Sequence, residues 1–328
     1  MWKSVSYEAC GRSHRRSATP CQDKTLTSSL NGIEIVALAD GAGSAKFSHV
    51  GAATVTEAAC AYLSENFTHL LTTADGLQVK TKLLNHLLAA LRQKCEELAC
   101  GLQELASTLL LVAIGGDSFI IVHIGDGVIG YLQGGQLKVA SRPTNGEFVN
   151  TTIFVTSADA LGSMRVLRGD VSDIDGFVLM SDGTADSLYD RKRATLAPVV
   201  RKMMQRTAIL SPDRMYQLLE NSFEQVIVMN THDDCSIALL VNKSSSLCYS
   251  AMNFEQKCEL FGLRATHKSS RRRVRRYDEM LSQLQSAQTL RQISRWLRLK
   301  ERYTKRHLER LQLLGLVTTD GVYYSSNI

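Results

Sequence analysis

The chain has 328 residues, 44% of them hydrophobic and only 4 proline, which excludes a disordered or collagen-like polymer and allows either one large folded domain or two. The net charge of +6 is uneven: from Glu255 onward 16 Lys/Arg face 7 Asp/Glu, a net of +9, and the preceding residues carry −3, so two modules with different partners are expected, 1–250 and 251–328. The 8 cysteines show no C-x-x-C pair and no zinc-finger spacing with His, which argues against a disulfide framework or zinc site and fits a reducing cytoplasm.

Met1 to Ser6 has no apolar run behind its charge, so no secretory signal is expected. Residues 33–39 (IEIVALA) are apolar and rich in β-branched side chains, and they end at Asp40-Gly41-Ala42-Gly43-Ser44: a buried strand entering a tight loop. Residues 49–66 and 77–99 read as helices, the second with Leu83, Leu84, Leu87, Leu88 and Leu91 on one face. Residues 108–114, 118–124, 128–133 and 136–140 then read as strands separated by Gly/Asp turns, a pattern of antiparallel hairpins. The same turns break the apolar stretch 109–132, which excludes a membrane span there. Strands are expected at 151–156, 176–180 and 236–241, and helices at 191–207 and 213–229, the latter opened by Ser211-Pro212. Long helices mixed with antiparallel strands define an α+β class.

Polar residues 242–246 mark the end of the first module. The tail opens with Arg271-Arg272-Arg273-Val274-Arg275-Arg276. Leu290, Ile293 and Leu297 share one helical face, and Tyr303, His307, Leu308, Leu311 and Leu314 mark a second helix ending at Gly315. Residues 316–324 then read as a hairpin around Asp320-Gly321. Two helices and a hairpin resemble a small winged helix-turn-helix domain. Lys305, Arg306 and Arg310 on its second helix, with the arginine cluster, would contact nucleic acid; winged helices also dock proteins.

Aspartates recur at turns bordering strands: Asp23, Asp40, Asp126, Asp182 and Asp233. Any one Asp-Gly pair is an ordinary turn signal. Together, carboxylates at strand ends could converge on hard divalent cations, which take oxygen ligands, and a glycine after the ligand lets a backbone carbonyl approach the ion. Two such cations activate water and clamp a phosphoryl group. None of the cysteines stands in the C-x5-R arrangement of a thiol-based phosphatase.

The order Gln22-Asp23, Ala39-Asp40-Gly41-Ala42-Gly43-Ser44, Ser107-Thr108-Leu109, Gly125-Asp126-Gly127, Met180-Ser181-Asp182-Gly183 and Asp233-Asp234-Cys235-Ser236 resembles the PPM-type metal-dependent protein Ser/Thr phosphatases, in particular their compact bacterial branch; Pro20-Cys21-Gln22-Asp23 and residues 146–152 support it. The likeness covers residues 5–242. It implies two antiparallel sheets sandwiched between helical layers with the metals at one edge, and hydrolysis of phosphoSer or phosphoThr by in-line attack of a metal-bridging hydroxide. It also implies two Mn²⁺ or Mg²⁺ ions, with room for a third. Asp40 would bridge the pair, the Gly41 carbonyl would bind the second ion, Asp182 and Asp233 the first, and Asp126 would join Asp182 at a weaker third site. Asp23 would touch the pair directly or through its ligands, and Asp234, where the family often has Asn, would support them. Ser44 would either bond a metal water or cap the turn. Many relatives grip the substrate phosphate with an arginine in the first motif; here His14 aligns with it, flanked by Arg12, Arg15 and Arg16, so the phosphate ligand is either His14 or one of its neighbours, and His14 or a metal-bound water would protonate the leaving oxygen. By the same analogy the partner is a phosphorylated protein, a Ser/Thr kinase or its targets. The contrasting expectation is a DNA-binding regulator whose phosphatase-like domain is a sensor with little turnover.

Overall fold

The computed structural model describes residues 1–143, 152–243 and 247–327. The chain forms two compact units: residues 2–204 with 218–241, and residue 1 with 205–217 and 242–328. No helix among the described residues is long and apolar enough to cross a membrane.

The larger unit holds two five-stranded antiparallel sheets. Its strands are β1 (Trp2–Ala9), β2 (Lys24–Leu30), β3 (Ile33–Ala39), β4 (Leu109–Gly115), β5 (Ser118–Ile124), β6 (Val128–Gln133), β7 (Gln136–Ser141), β8 (Arg165–Asp170), β9 (Ile174–Met180), the short hairpin β10–β11 (Tyr189–Asp190, Thr195–Leu196) and β12 (Cys235–Asn242). One sheet runs β2-β3-β4-β5-β8 and the other β1-β12-β9-β6-β7. Alternation along each strand makes the layers. In β3 and β4, Val36, Leu38, Leu110, Val112 and Ile114 meet Ile129, Phe177, Leu179, Ala238 and Leu240 of the other sheet. Their neighbours Ile35, Ala37, Leu109, Leu111 and Ala113 turn outward onto two long helices, α1 (Ser48–Thr72) and α2 (Gly76–Leu98). The predicted leucines 83, 84, 87 and 91 are in that layer, and Leu88 packs partly buried against it.

Register places the turns that bear the candidate aspartates at one end of the sandwich. Lys24 pairs with Ala39, so Asp23 before β2 lies beside Asp40 after β3. Leu109 pairs with Ile124, Val128 with Met180, and Ile237 with Met180, which brings the β5–β6 turn, the end of β9 and the start of β12 to that same end.

Two expectations are corrected and one is refined. Residues 191–207 are not one helix: the Asp190 carboxylate accepts from the backbone N–H of Lys192 and Arg193, Ala194 adopts a left-handed φ of 53°, and the helix spans only Val199–Ile209, after Pro198. The helix of 213–229 is Pro212–Ser222, followed by a π-turn at Phe223–Ile227 and a short helix at Val228–Asn230. The strand expected at 151–156 is absent from its described part: only Thr152 makes a bridge, and Val155 N–H goes to the Ser107 carbonyl instead. Residues 146–151 of the supporting motif, and 244–246, lie outside the described residues.

The smaller unit contains helices Phe254–Leu260, Lys268–Gln283, Leu290–Leu297 and Glu301–Leu313, and a three-stranded sheet of Gln288–Thr289, Tyr323–Ser326 and Val317–Thr319. Thr289 and Gln292 form a reciprocal cap on the third helix. Gly315 has φ 71°, the left-handed geometry expected where the last helix stops. The arginine cluster forms part of a helix whose Val274 and Tyr277 are buried while Arg271, Arg272, Arg273 and Arg275 are exposed.

Candidate metal centre and active site

Asp40, Asp126 and Asp182 each offer a carboxylate oxygen, and these atoms lie within 4.8 Å of one another. Asp40 leaves β3, Asp126 sits between β5 and β6, and Asp182 leaves β9 to open the helix Asp182–Leu188, so three separate strand ends converge. Thr108 fixes Asp40 from both sides: its hydroxyl accepts from Asp40 N–H at 2.8 Å, and its own N–H donates to the Asp40 carbonyl at 2.8 Å. Thr152 donates its hydroxyl to Asp126 Oδ2 at 2.5 Å. Gly41 N–H donates to the Gln22 carbonyl, and a side chain at Gly41 would collide with Ser48, so the backbone there packs close.

Such crowding is costly without a cation. Burial pushes Asp40 well above the usual carboxylate range, and the neighbouring charges that act most on it are Asp23, Asp182, Asp233 and Asp126. Burial, then Asp126 and Asp233, pushes Asp182 up to about 6. Asp23 is fully buried, and burial pushes it up to about 8. The Ser181 and Ser236 hydroxyls ease its charge, yet neither carboxylate oxygen has a partner at hydrogen-bond geometry among the described residues. Orphaned buried oxygens beside a carboxylate triad fit a hard divalent ion. Asp233 is exposed on the rim, its Oδ1 accepting from Asp234 N–H.

Asp234 lies beneath the site as a clamp. Its buried carboxylate accepts from Gly11 N–H and Gln22 N–H, both at 2.6 Å, and faces His14 Nδ1 at 2.9 Å. A side chain at Gly11 would overlap the Asp233 carbonyl, and one at Gly183 would overlap the Asp234 carbonyl. The segment Arg12–Ser17 is therefore pinned against the start of β12. Within it Arg12 Nε donates to the Thr231 carbonyl at 2.8 Å. Arg15 is committed away from the aspartates: it donates to the Cys10 carbonyl at 2.7 Å and pairs with Glu224 at 2.7 Å. Ser44 is exposed and makes no hydrogen bond among the described residues.

Sequence reasoning gave His123 no role. It is a lone titratable group in an apolar strand, a signal that could have marked it. Burial pushes its pKa down to about 3, so the ring is neutral. Nε2 donates to the Gly125 carbonyl at 3.1 Å; Nδ1 therefore accepts from the Ser141 hydroxyl at 2.6 Å, and Ser141 Oγ takes a hydrogen bond from Arg165. This chain holds the backbone that presents Asp126. In the smaller unit Lys305 and Arg306 are exposed, whereas Arg310 donates to the Phe261 carbonyl.

The chain thus combines a double antiparallel sandwich, helices outside it and a cluster of carboxylates at one end. The chain belongs to the protein phosphatase 2C family, whose model matches residues 10–223. It is 28% identical over 173 residues to serine/threonine-protein phosphatase 3 of Escherichia coli (strain K12), a match spanning 50% of this chain and 66% of that protein, just under two thirds of its length. Among solved structures, a bacterial serine phosphatase aligns at TM-score 0.52 and 14% identity, covering 74% of this chain and 98% of the other. The catalytic domain of serine threonine protein phosphatase PstP, in complex with 2 manganese ions, aligns at TM-score 0.51 and 17% identity, covering 73% and 97%. At these identities the structural matches establish the fold.

Proposed function

We propose that this chain hydrolyses phosphoserine and phosphothreonine on a protein, reversing a partner kinase, with two Mn²⁺ or Mg²⁺ ions and room for a third at the acidic edge. The observation that carries this reading is the convergence of Asp40, Asp126 and Asp182 beside the orphaned carboxylate of Asp23. Asp40 would be shared between the ions, the Gly41 carbonyl would bind the second, Asp182 and Asp233 would hold the first, Asp126 with Asp182 a third, and Asp23 would touch the pair directly or through its ligands. Bound there, divalent cations supply Lewis acidity and neutralise charge at phosphorus.

The protein's own groups do the remaining work. Arg12, of which Nε alone is engaged among the described residues, has guanidinium nitrogens left for phosphate oxygens. Asp234 is an acceptor, so His14 Nδ1 carries the hydrogen and Nε2 is the atom free to move a proton. A protonated Nε2 can donate to the departing Ser or Thr oxygen. On this reading His14→Asn should slow a phosphothreonine peptide by about 100-fold, the usual worth of general acid catalysis. It should slow nitrophenyl phosphate far less, since that leaving group needs no proton; equal losses on both substrates would refute the role. The overall test is phosphate release from a phosphothreonine peptide with Mn²⁺, Mg²⁺ or EDTA, and no release with either metal would reject the reading.

We infer a winged-helix-like docking role for residues 251–328, supported by the helix pair at Leu290–Leu297 and Glu301–Leu313 and the following hairpin. Exposed Lys305 and Arg306 favour nucleic acid as a second partner, with Arg310 retained for the internal frame. Lys305→Glu with Arg306→Glu should abolish any salt-sensitive retardation of duplex DNA. If the wild-type protein shifts no duplex at low salt, protein docking is the remaining role. Eight unpaired cysteines are consistent with a reducing cytoplasm.

A further inference from the structure

A groove of about 540 Å³ runs between the helix opened by Asp182 and the π-turn that leads to Asp233. Its floor is apolar and buried, formed by Leu188, Met203 and Ile227. Its rim carries Val226, 54% exposed, and Val199, 40% exposed, an unusual outlay of apolar surface facing water. Asp186 and Asn230 also line it. Both are tied to the site: Asp186 stands one helical turn, about 6 Å of rise, beyond Asp182, and Asn230 is three residues before Asp233. The π-turn adds an independent sign. It buries Phe223 and Ile227, turns Val226 outward, and through Glu224 anchors Arg15 of the segment bearing His14.

We propose that this groove seats a hydrophobic side chain of the phosphoprotein substrate and so sets sequence preference around the phosphorylated residue. The inference rests on the phosphatase reading above. An extended peptide advances about 3.3 Å per residue, so with its phosphate at the aspartates it reaches the groove roughly two to four residues away. The floor suits Leu, Met or Phe: it holds no charge, and Met203 adapts to different shapes. The occupant is a polypeptide because Asp186 and Asn230 of the lining stand four and three residues from Asp182 and Asp233, where the phosphatase reading puts the metals and so the phosphate.

The test uses the full chain with Mn²⁺. A single leucine is walked through four positions on either side of the phosphothreonine in otherwise alanine-flanked peptides, and nitrophenyl phosphate reports the chemistry alone. At one or more positions leucine should raise kcat/KM about tenfold, chiefly through KM, the scale expected from burying one aliphatic side chain. Val226→Glu, and separately Val199→Glu, should erase that gain and leave nitrophenyl phosphate turnover unchanged. Equal kcat/KM for leucine and alanine at every position would overturn the groove's role, as would a gain that survives both variants. Failure of the wild type to hydrolyse nitrophenyl phosphate with Mn²⁺ would overturn the phosphatase reading and this inference with it.

Discussion

Asp182→Asn should remove metal-dependent phosphate release while making the metal-free protein harder, not easier, to unfold. The carboxylate is one of three whose oxygens lie within 4.8 Å. An amide of the same shape keeps the packing and takes away one anionic ligand. Loss of even an outer partner of a metal ligand costs about 10- to 100-fold, so loss of a ligand itself should cost at least about 100-fold in kcat/KM. Asp40→Asn should do the same, since Asp40 feels the charges of Asp23, Asp126, Asp182 and Asp233 together. The second half of the prediction separates ligation from structural damage. Burial and like charge raise Asp182 to about 6, so in EDTA near neutral pH the wild type holds an unfavourable anion that the amide lacks. Urea melts in EDTA should show Asp182→Asn more stable than wild type. A variant that is both inactive and less stable without metal would mean that Asp182 serves the fold, and the assignment would fall.

Central strands and helices were legible because both of their faces report. In β3, β4 and β5 nearly every residue is buried, so the apolar runs stand out. Strands β2 and β8 escaped notice for a matching reason. Each is a sheet edge, and Lys24–Leu30 and Arg165–Asp170 contain no fully buried residue, so no hydrophobic alternation marks them. The charged run Arg191-Lys192-Arg193 imitated a solvated helix face, because the Asp190 side chain that organises a turn there acts through hydrogen bonds invisible to periodicity. At the site, the order of the Asp-bearing turns named five aspartates, of which Asp40, Asp126 and Asp182 bring carboxylate oxygens within 4.8 Å of one another. It could not say that Asp234 would clamp Gly11, Gln22 and His14, contacts more than two hundred residues apart. Nor could it say that Arg15 would be taken by Glu224, because a cation's partner is chosen by the fold.

Metal-free protein should lose stability as pH rises through the range where most proteins are at their firmest. The groups responsible are Asp182, pushed up to about 6, and Asp23, pushed up to about 8, with Asp40 raised in the same direction. In the unfolded chain these carboxyls titrate near about 3.9. Between that value and their folded values the native state binds more protons than the unfolded state, so stability falls with increasing pH. Their favourable contribution is complete below about pH 4 and is lost as pH climbs through about 6 to 8. A divalent cation needs the same carboxylates deprotonated, so its binding releases protons and tightens over that window. At 100 times its Kd a ligand bound only to the folded state adds about 2.7 kcal/mol. Urea midpoints with and without Mn²⁺ should therefore differ little at about pH 5 and widely at about pH 8. Asp23→Asn should flatten the metal-free pH dependence, because it removes a fully buried carboxylate whose oxygens have no hydrogen-bond partner. A manganese-induced shift of equal size at both pH values would show that these carboxylates do not carry the metal.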